Sequence, residues 1–187
     1  MQIDGQLVEA AGRGDPVAFE ALVRETHRAV YGLVYRLVGN HDDAADVMQD
    51  VYLRVWRSLK TYRGDAAFGT WLYRVAANAA LSHLKRRGRE AEPVDPHDLA
   101  ATERAAAGPS EDAPAEAIEE AVARLPIPMR TVVVMKDVYG FSISEIAKQV
   151  GATEGAVKVR LFRARRRLAD ELHAGGDVIP MKRRATS

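Results

Sequence analysis

Apolar residues recur at helical spacing along most of this chain. Gly5 to Ala11 predicts a short helix stopped by Gly12 and Gly14. Asp15-Pro16 then reads as an N-cap and first helical position, because aspartate accepts orphan N–H bonds and proline has none to lose. From there Phe19, Leu22, Val23, Val30, Leu33, Val34, Leu37 and Val38 mark one long core-facing helix, ended by Gly39-Asn40. The next helix, about Asp42 to Leu59, is two-faced. Val47, Val51, Val55 and Leu59, with Met48 and Tyr52 nearby, lie on one side. Asp46, Gln49, Asp50, Leu53 and Arg57 lie on the other, which is either ordinary solvated surface or a docking face for a basic partner.

A further helix, about Ala67 to Arg87, carries Trp71, Arg74, Asn78, Ser82 and Lys85 on a stripe that could lie along DNA. Between Glu90 and Glu116 the periodicity disappears. Eight acidic residues, four prolines and one arginine predict a flexible acidic linker. Helical pattern resumes near Ala117 with Ile118, Val122 and Leu125, and continues over Thr131 to Tyr139.

Phe141 to Arg167 predicts a helix-turn-helix. Ala147 is the small residue under the crossing helix, Gly151 the turn glycine, and Val157 the β-branched lock. On a helical wheel Val157, Leu161, Ala164 and Leu168 fall on a core face, while Gly155, Lys158, Val159, Phe162, Arg163 and Arg166 form an outward cationic face with one aromatic. Such a face suits the major groove, where arginine bonds guanine bidentately and an apolar group touches the thymine methyl. A basic run alone is often only a solvated face; the turn spacing is what favours DNA here. The tail after Leu172, with two glycines, a proline and a basic patch, is expected to fray.

Composition narrows the classes. The chain has 187 residues, 47% of them apolar, which suits one or two small globular domains. Net charge is only +1, so the distribution matters more than the sum. Positive charge gathers at Arg54 to Arg63, Lys85 to Arg89 and Lys158 to Arg167. The absence of cysteine excludes disulfides, thiolate zinc sites and thiol redox sensing within the chain. With no apolar run of about 18 residues and no signal-peptide pattern, the chain is expected to lie in the cytoplasm without direct membrane insertion.

Tyr52, Trp56, Tyr62, Phe68, Trp71 and Tyr73 are six of the 12 aromatic residues, interleaved with Arg54, Arg57, Lys60, Arg63 and Arg74. Planes for stacking bases plus cations for phosphates suit a separated nucleic-acid strand, although rings also fill cores. Catalytic patterns are lacking. Gly64 to Thr70 has P-loop glycine spacing but no lysine and no preceding strand. The five histidines are scattered, and His41-Asp42-Asp43 reads better as a helix start than as a metal ligand set. No cofactor, metal or catalytic residue is expected.

Taken together, Asp43-Ala44-Ala45-Asp46-Val47-Met48-Gln49-Asp50-Val51, Phe68-Gly69-Thr70-Trp71-Leu72-Tyr73-Arg74-Val75-Ala76-Ala77-Asn78 and Gly155-Ala156-Val157-Lys158-Val159-Arg160-Leu161-Phe162-Arg163-Ala164-Arg165 resemble three regions of the extracytoplasmic-function sigma factors of bacteria. The first resembles region 2.2, the second the junction of regions 2.3 and 2.4, and the third region 4.2. Ser82 stands where the family usually has aspartate, Ala45 where it has glutamate and Val159 where serine is common.

The resemblance implies an all-α protein of two small helical domains. Residues 15–89 would form region 2 after an extension at 1–14, the linker would span 90–116, region 4 would span 117–172, and 173–187 would be a tail. It implies docking of Asp46, Gln49, Asp50, Leu53 and Arg57 on core RNA polymerase, through the β′ clamp helices and the β subunit. The minus-ten element would meet Tyr62, Arg63, Phe68, Trp71, Arg74, Asn78, Ser82 and Lys85. The minus-thirty-five element would meet Thr153, Gly155, Lys158, Val159, Arg160, Phe162, Arg163 and Arg166. An anti-sigma partner is implied as well. The alternatives are a stand-alone helix-turn-helix regulator, which leaves the aromatic and basic cluster unexplained, and a nucleic-acid-modifying enzyme, which lacks a visible catalytic group.

Overall fold

The computed structural model describes residues 3–64, 66–87 and 115–176, with side chains through His173. Among the described residues eight α-helices follow in order: α1 (Gly5–Gly12), α2 (Pro16–Val38), α3 (His41–Leu59), α4 (Phe68–Arg87), α5 (Ala115–Arg124), α6 (Ile127–Val133), α7 (Ile143–Val150) and α8 (Glu154–Gly176). All the described regular structure is helical. Most of the predicted linker, and the tail beyond Gly176, lie outside the described residues. Within them α5 starts at Ala115, slightly before the predicted pattern, and α8 runs past Leu172 to Gly176.

In the first bundle α2, α3 and α4 pack mutually, with α1 laid against α2 and α3. The Asp15 carboxylate accepts from Val17 N at 2.8 Å and Ala18 N at 3.1 Å ahead of Pro16, and Gly39 ends α2 at φ 87°. Leu22, Val30, Leu33, Val34 and Leu37 are buried, each worth about 1.5–3 kcal/mol when fully removed from water. The apparent gap in this stripe is filled by Thr26. It is fully buried, and its hydroxyl bonds the Leu22 carbonyl at 2.8 Å and the Tyr52 hydroxyl at 2.9 Å. Ala76, Ala77, Ala79 and Ala80 of α4 are also fully buried; side chains this small let neighbouring helices approach closely.

The start of α3 is tied to the end of α4 through Asp43. Asn40 caps α3 by accepting from Asp43 N, and its amide donates to Asp43 Oδ2 at 2.6 Å. His83 Nε2 stands 3.1 Å from Asp43 Oδ1, an ion pair when the imidazole is protonated, and Arg87 pairs with the same carboxylate.

The second bundle packs α5, α6 and α7 on α8. Val133 passes into a single π-helical turn, Val134–Val138, which Arg165 of α8 grips through Asp137, with Nε 3.0 Å from Oδ2. Wide turns of this kind interrupt an α ladder locally. Ala147 and Val157 are buried and Gly151 adopts φ 69°, so the helix-turn-helix forms on the three expected positions. A capping box starts α7: Glu145 N donates to Ser142 Oγ at 3.2 Å, and Ser142 N donates to Glu145 Oε2 at 2.8 Å.

The bundles meet along one seam, in which α2 touches α6 and α4 touches α7. Arg130, buried at 8% exposure, donates from Nη2 to the Leu37 carbonyl at 3.1 Å and from Nη1 to the Ala123 carbonyl at 3.1 Å. Around it Arg36 pairs with Glu119, and Tyr73 meets Tyr139 edge-on at 4.9 Å.

Candidate nucleic-acid interface

Three surfaces carry the residues singled out in the sequence. On α3, burial of Val47, Val51, Val55 and Leu59 turns Asp46, Gln49, Leu53 and Arg57 outward. Leu53 is 54% exposed, which is unusual for a leucine unless something else covers it. Asp50 is only half-exposed and is engaged by Arg54, with Nη2 and Oδ2 2.8 Å apart. Trp56 borders this face at 41% exposure, its ring edge-on to Phe19 at 4.7 Å. Its place on the flank of the outward face was not singled out from the sequence, where it counted only as one more ring of the aromatic cluster.

The second surface lies at the entry to α4. Tyr62, Phe68 and Trp71 form a three-ring cluster with centroids 5.4–5.6 Å apart. The hydroxyl of Tyr62 donates to the Ala66 carbonyl at 2.6 Å, which fixes the connecting loop. Phe68 is buried, so it supports the cluster from below, whereas Tyr62 and Trp71 are half-exposed. Arg63 and Asn78 are exposed, as is Lys85 at the basic end of the helix. The Ser82 hydroxyl donates back to the Asn78 main-chain carbonyl at 2.7 Å. Arg74 pairs with Glu145 of α7. A groove of about 670 Å³ runs from the loop to α1, lined by Tyr62, Arg63 and Phe68 on one side and by Val8 and Gly12 on the other.

The third surface is α8. Val157, Leu161, Ala164 and Leu168 are buried, which leaves Gly155, Lys158 and Arg166 exposed and Val159, Arg160 and Arg163 half-exposed. Phe162 is half-buried rather than freely outward. Thr153 is occupied as a cap, its Oγ1 accepting from Ala156 N at 3.1 Å. Among the described residues no group of histidines and carboxylates is placed to hold a metal ion, and no helix is long and apolar enough to cross a membrane.

Electrostatics distinguish structural from available charges. Hydrogen bonding from Asn40, with further help from His83 and Arg87, holds the Asp43 carboxyl below its ordinary range despite burial. Ser142 backbone and hydroxyl bonds, and then Arg74, do the same for Glu145.

The family models of Sigma-70 region 2 and Sigma-70 region 4 match residues 22–90 and 115–168. The chain belongs to the extracytoplasmic-function RNA polymerase sigma factors. It is 35% identical to the RNA polymerase sigma-H factor of Pseudomonas aeruginosa over 87% of this chain and 90% of that protein. It is 37% identical to the sigma factor SigM of Mycobacterium tuberculosis, covering 89% of this chain and 83% of that one. Among solved structures, CnrH in complex with the cytosolic domain of CnrY superposes with a TM-score of 0.56 at 25% identity, over 90% of this chain and 96% of that one. The sigma factor RpoE in complex with the anti-sigma factor NepR from Bartonella quintana gives 0.57 at 25% identity, over 83% and 96%. This sigma factor therefore acts in promoter recognition and polymerase-dependent transcription initiation, and matches to both regions disfavour a stand-alone regulator.

Proposed function

We propose that the sigma factor divides its work among these three surfaces. The exposed α3 face, Asp46, Gln49, Asp50, Leu53 and Arg57, docks core polymerase. The loop and α4, with Tyr62, Arg63, Phe68, Trp71, Arg74, Asn78, Ser82 and Lys85, take the opened minus-ten strand. The α8 face of Gly155, Lys158, Val159, Arg160, Phe162, Arg163 and Arg166 enters the minus-thirty-five major groove, with Thr153 fixing its first turn.

The observation that carries this reading is the Tyr62, Phe68 and Trp71 cluster at the head of a helix whose following turns carry the partly exposed Arg74 and the exposed Asn78. Rings offer π-faces to extruded bases, the arginine meets phosphate, and the asparagine amide can bond a base edge. Capture of an unstacked base offsets an unpairing cost of a few kcal/mol, so binding and melting become one step. No side chain is assigned a chemical step; bond formation belongs to the polymerase. The likeness to sigma factors solved with NepR and CnrY supports an anti-sigma partner, and the reading places the protein in the cytoplasm. Reconstitution with core polymerase on a duplex promoter library tests it. Sequence-selective transcripts that depend on Asn78 support it, and transcripts indifferent to this protein overturn it.

A further inference from the structure

Arg130 is a buried cation whose charge the protein only partly balances. Its donors meet main-chain carbonyls alone, those of Leu37 and Val38 on α2 and Ala123 on α5, and its Nε is buried without a partner. Among the described residues no carboxylate pairs with it, and the C-terminus of α2 offers it only about half a negative charge. Burial accordingly pushes the pKa of the guanidinium down. Arg130 borders a cleft of about 270 Å³ whose walls come from both bundles: Tyr35 of α2, Ile118 and Val122 of α5, and Val138 of the π-helical turn. Arg36 and Glu119, paired with each other, line it too, so two arginines face one glutamate. We propose that this cleft is a binding site for a small organic acid, whose carboxylate meets the guanidinium groups of Arg130 and Arg36 and whose apolar body lies among Tyr35, Ile118 and Val138.

The chemistry of the lining selects the ligand class. A guanidinium has five N–H groups, and Arg130 has three recorded acceptors, so donors remain for a carboxylate. The planar forks of carboxylate and guanidinium match, and an anion in the cleft balances the buried charge even where it does not reach Nε. Removal of apolar surface from water supplies the rest, because Tyr35 and Val138 are large side chains left 37% and 53% exposed. An inorganic anion lacks the body to cover them, and a neutral molecule lacks the charge. The volume lies just below the roughly 300 Å³ at which ordinary ligand pockets begin, so the acid is small, a single ring or a short chain. The site spans the seam. A ligand that touches α2 and α5 together binds only the assembled bundles, and so stabilises the folded chain by mass action.

The test titrates the full-length chain with benzoate and phenylacetate, beside benzamide and inorganic phosphate, by calorimetry and by thermal unfolding. The two acids are expected to bind and to raise Tm. Benzamide, which has the shape of benzoate without its charge, is expected to bind on the order of tenfold more weakly, the size of a charge-assisted hydrogen bond, and phosphate is expected to leave Tm unchanged. Arg130→Met is a poor probe, because Arg130 also caps α2. Glu119 is exposed, so Glu119→Gln removes the carboxylate that competes for Arg36 without opening the core, and is expected to tighten benzoate binding about two- to fivefold. Ile118→Trp fills the cleft and is expected to abolish benzoate binding while unfolding without probe stays cooperative. The absence of any response to either acid overturns the site. Equal responses to benzoate and benzamide, or an affinity unchanged by Glu119→Gln, overturn recognition of the charge, and wild-type benzoate binding by Ile118→Trp overturns its place in the cleft.

Discussion

Arg130 Nη2 donates to the Leu37 carbonyl, 93 residues away in sequence, and so caps the C-terminus of α2 from the other bundle. The last carbonyls of a helix lack partners and carry the negative end of its dipole, so a guanidinium satisfies both needs. Gly39 makes room for it. A Cβ at Gly39 would stand 2.9 Å from Arg130 Nη1, and φ of 87° already disfavours any other residue.

Gly39→Ala is therefore expected to destabilise the protein by about 1–3 kcal/mol and Arg130→Met by about 1–3 kcal/mol. Because the added methyl collides with Arg130 itself, the glycine substitution should cost less in the Arg130→Met background. Denaturant titration of the singles and the double closes the cycle. Additive losses would mean that the two residues do not meet.

On α3 the buried and exposed faces separate cleanly, so Asp46→Arg combined with Gln49→Ala is expected to leave helicity and Tm nearly unchanged. Affinity for core polymerase is expected to fall, and transcription from every promoter with it. Unchanged core affinity, measured by fluorescence anisotropy, would remove the docking assignment.

Asn78 is exposed, whereas Trp71 packs on Tyr62 and Phe68. Asn78→Ala should thus keep full stability yet slow open-complex formation on duplex promoters, with partial rescue on a pre-opened bubble. Trp71→Ala is expected to do the same while also lowering Tm, because it removes ring contacts worth about 0.5–1.5 kcal/mol beyond area. Wild-type permanganate reactivity at the start site with Asn78→Ala would refute the strand assignment.

The all-α fold and the order of its helices could be read from apolar spacing, caps and glycines, since those signals are local. Asp15-Pro16 and Gly39 delimit α2, and Ala147, Gly151 and Val157 set the helix-turn-helix. Contacts between distant segments were not readable. Thr26 looks like a break in a stripe until Tyr52 is seen against it. Arg130 looks like a lone cation in an apolar run, because its acceptors are main-chain carbonyls of another helix. Arg74 was legible as a cation on a stripe, but its pairing with Glu145 depends on how two bundles meet. One local signal went unread: Ser142 followed three residues later by Glu145 is a capping box.

Acid should act through two carboxyls in particular. Asp43 is held below its ordinary range first by Asn40, and Glu145 first by the Ser142 backbone. With folded values below unfolded values of about 3.9 and 4.3, the stabilisation is complete above that range and is lost as pH falls through the folded values. Asp43→Asn is expected to lower Tm at neutral pH, because His83 and Arg87 lose their partner, and to flatten the decline of Tm below about pH 4. A pH profile parallel to that of the unsubstituted protein would show that Asp43 does not contribute.

On α8 the question is which cations read bases and which only meet phosphate. Lys158 and Arg163 both lie on the face opposite the buried Val157, Leu161 and Ala164 stripe, but Lys158 is a flexible point charge whereas Arg163 presents a planar fork. A fork can bond guanine O6 and N7 together. Arg163→Ala is therefore expected to cost about 1–3 kcal/mol at one minus-thirty-five position and little elsewhere. Lys158→Ala should instead weaken all duplexes alike and reduce the slope of log affinity against log salt by about one. Both variants should bind core polymerase normally, because neither residue lies on α3. Holoenzyme binding to a panel of single-base minus-thirty-five substitutions, repeated at several salt concentrations, separates the roles. A uniform loss with a reduced salt slope for Arg163→Ala would reassign it to the backbone, and base selectivity on α8 would then have to come from Val159, Phe162 or Arg166.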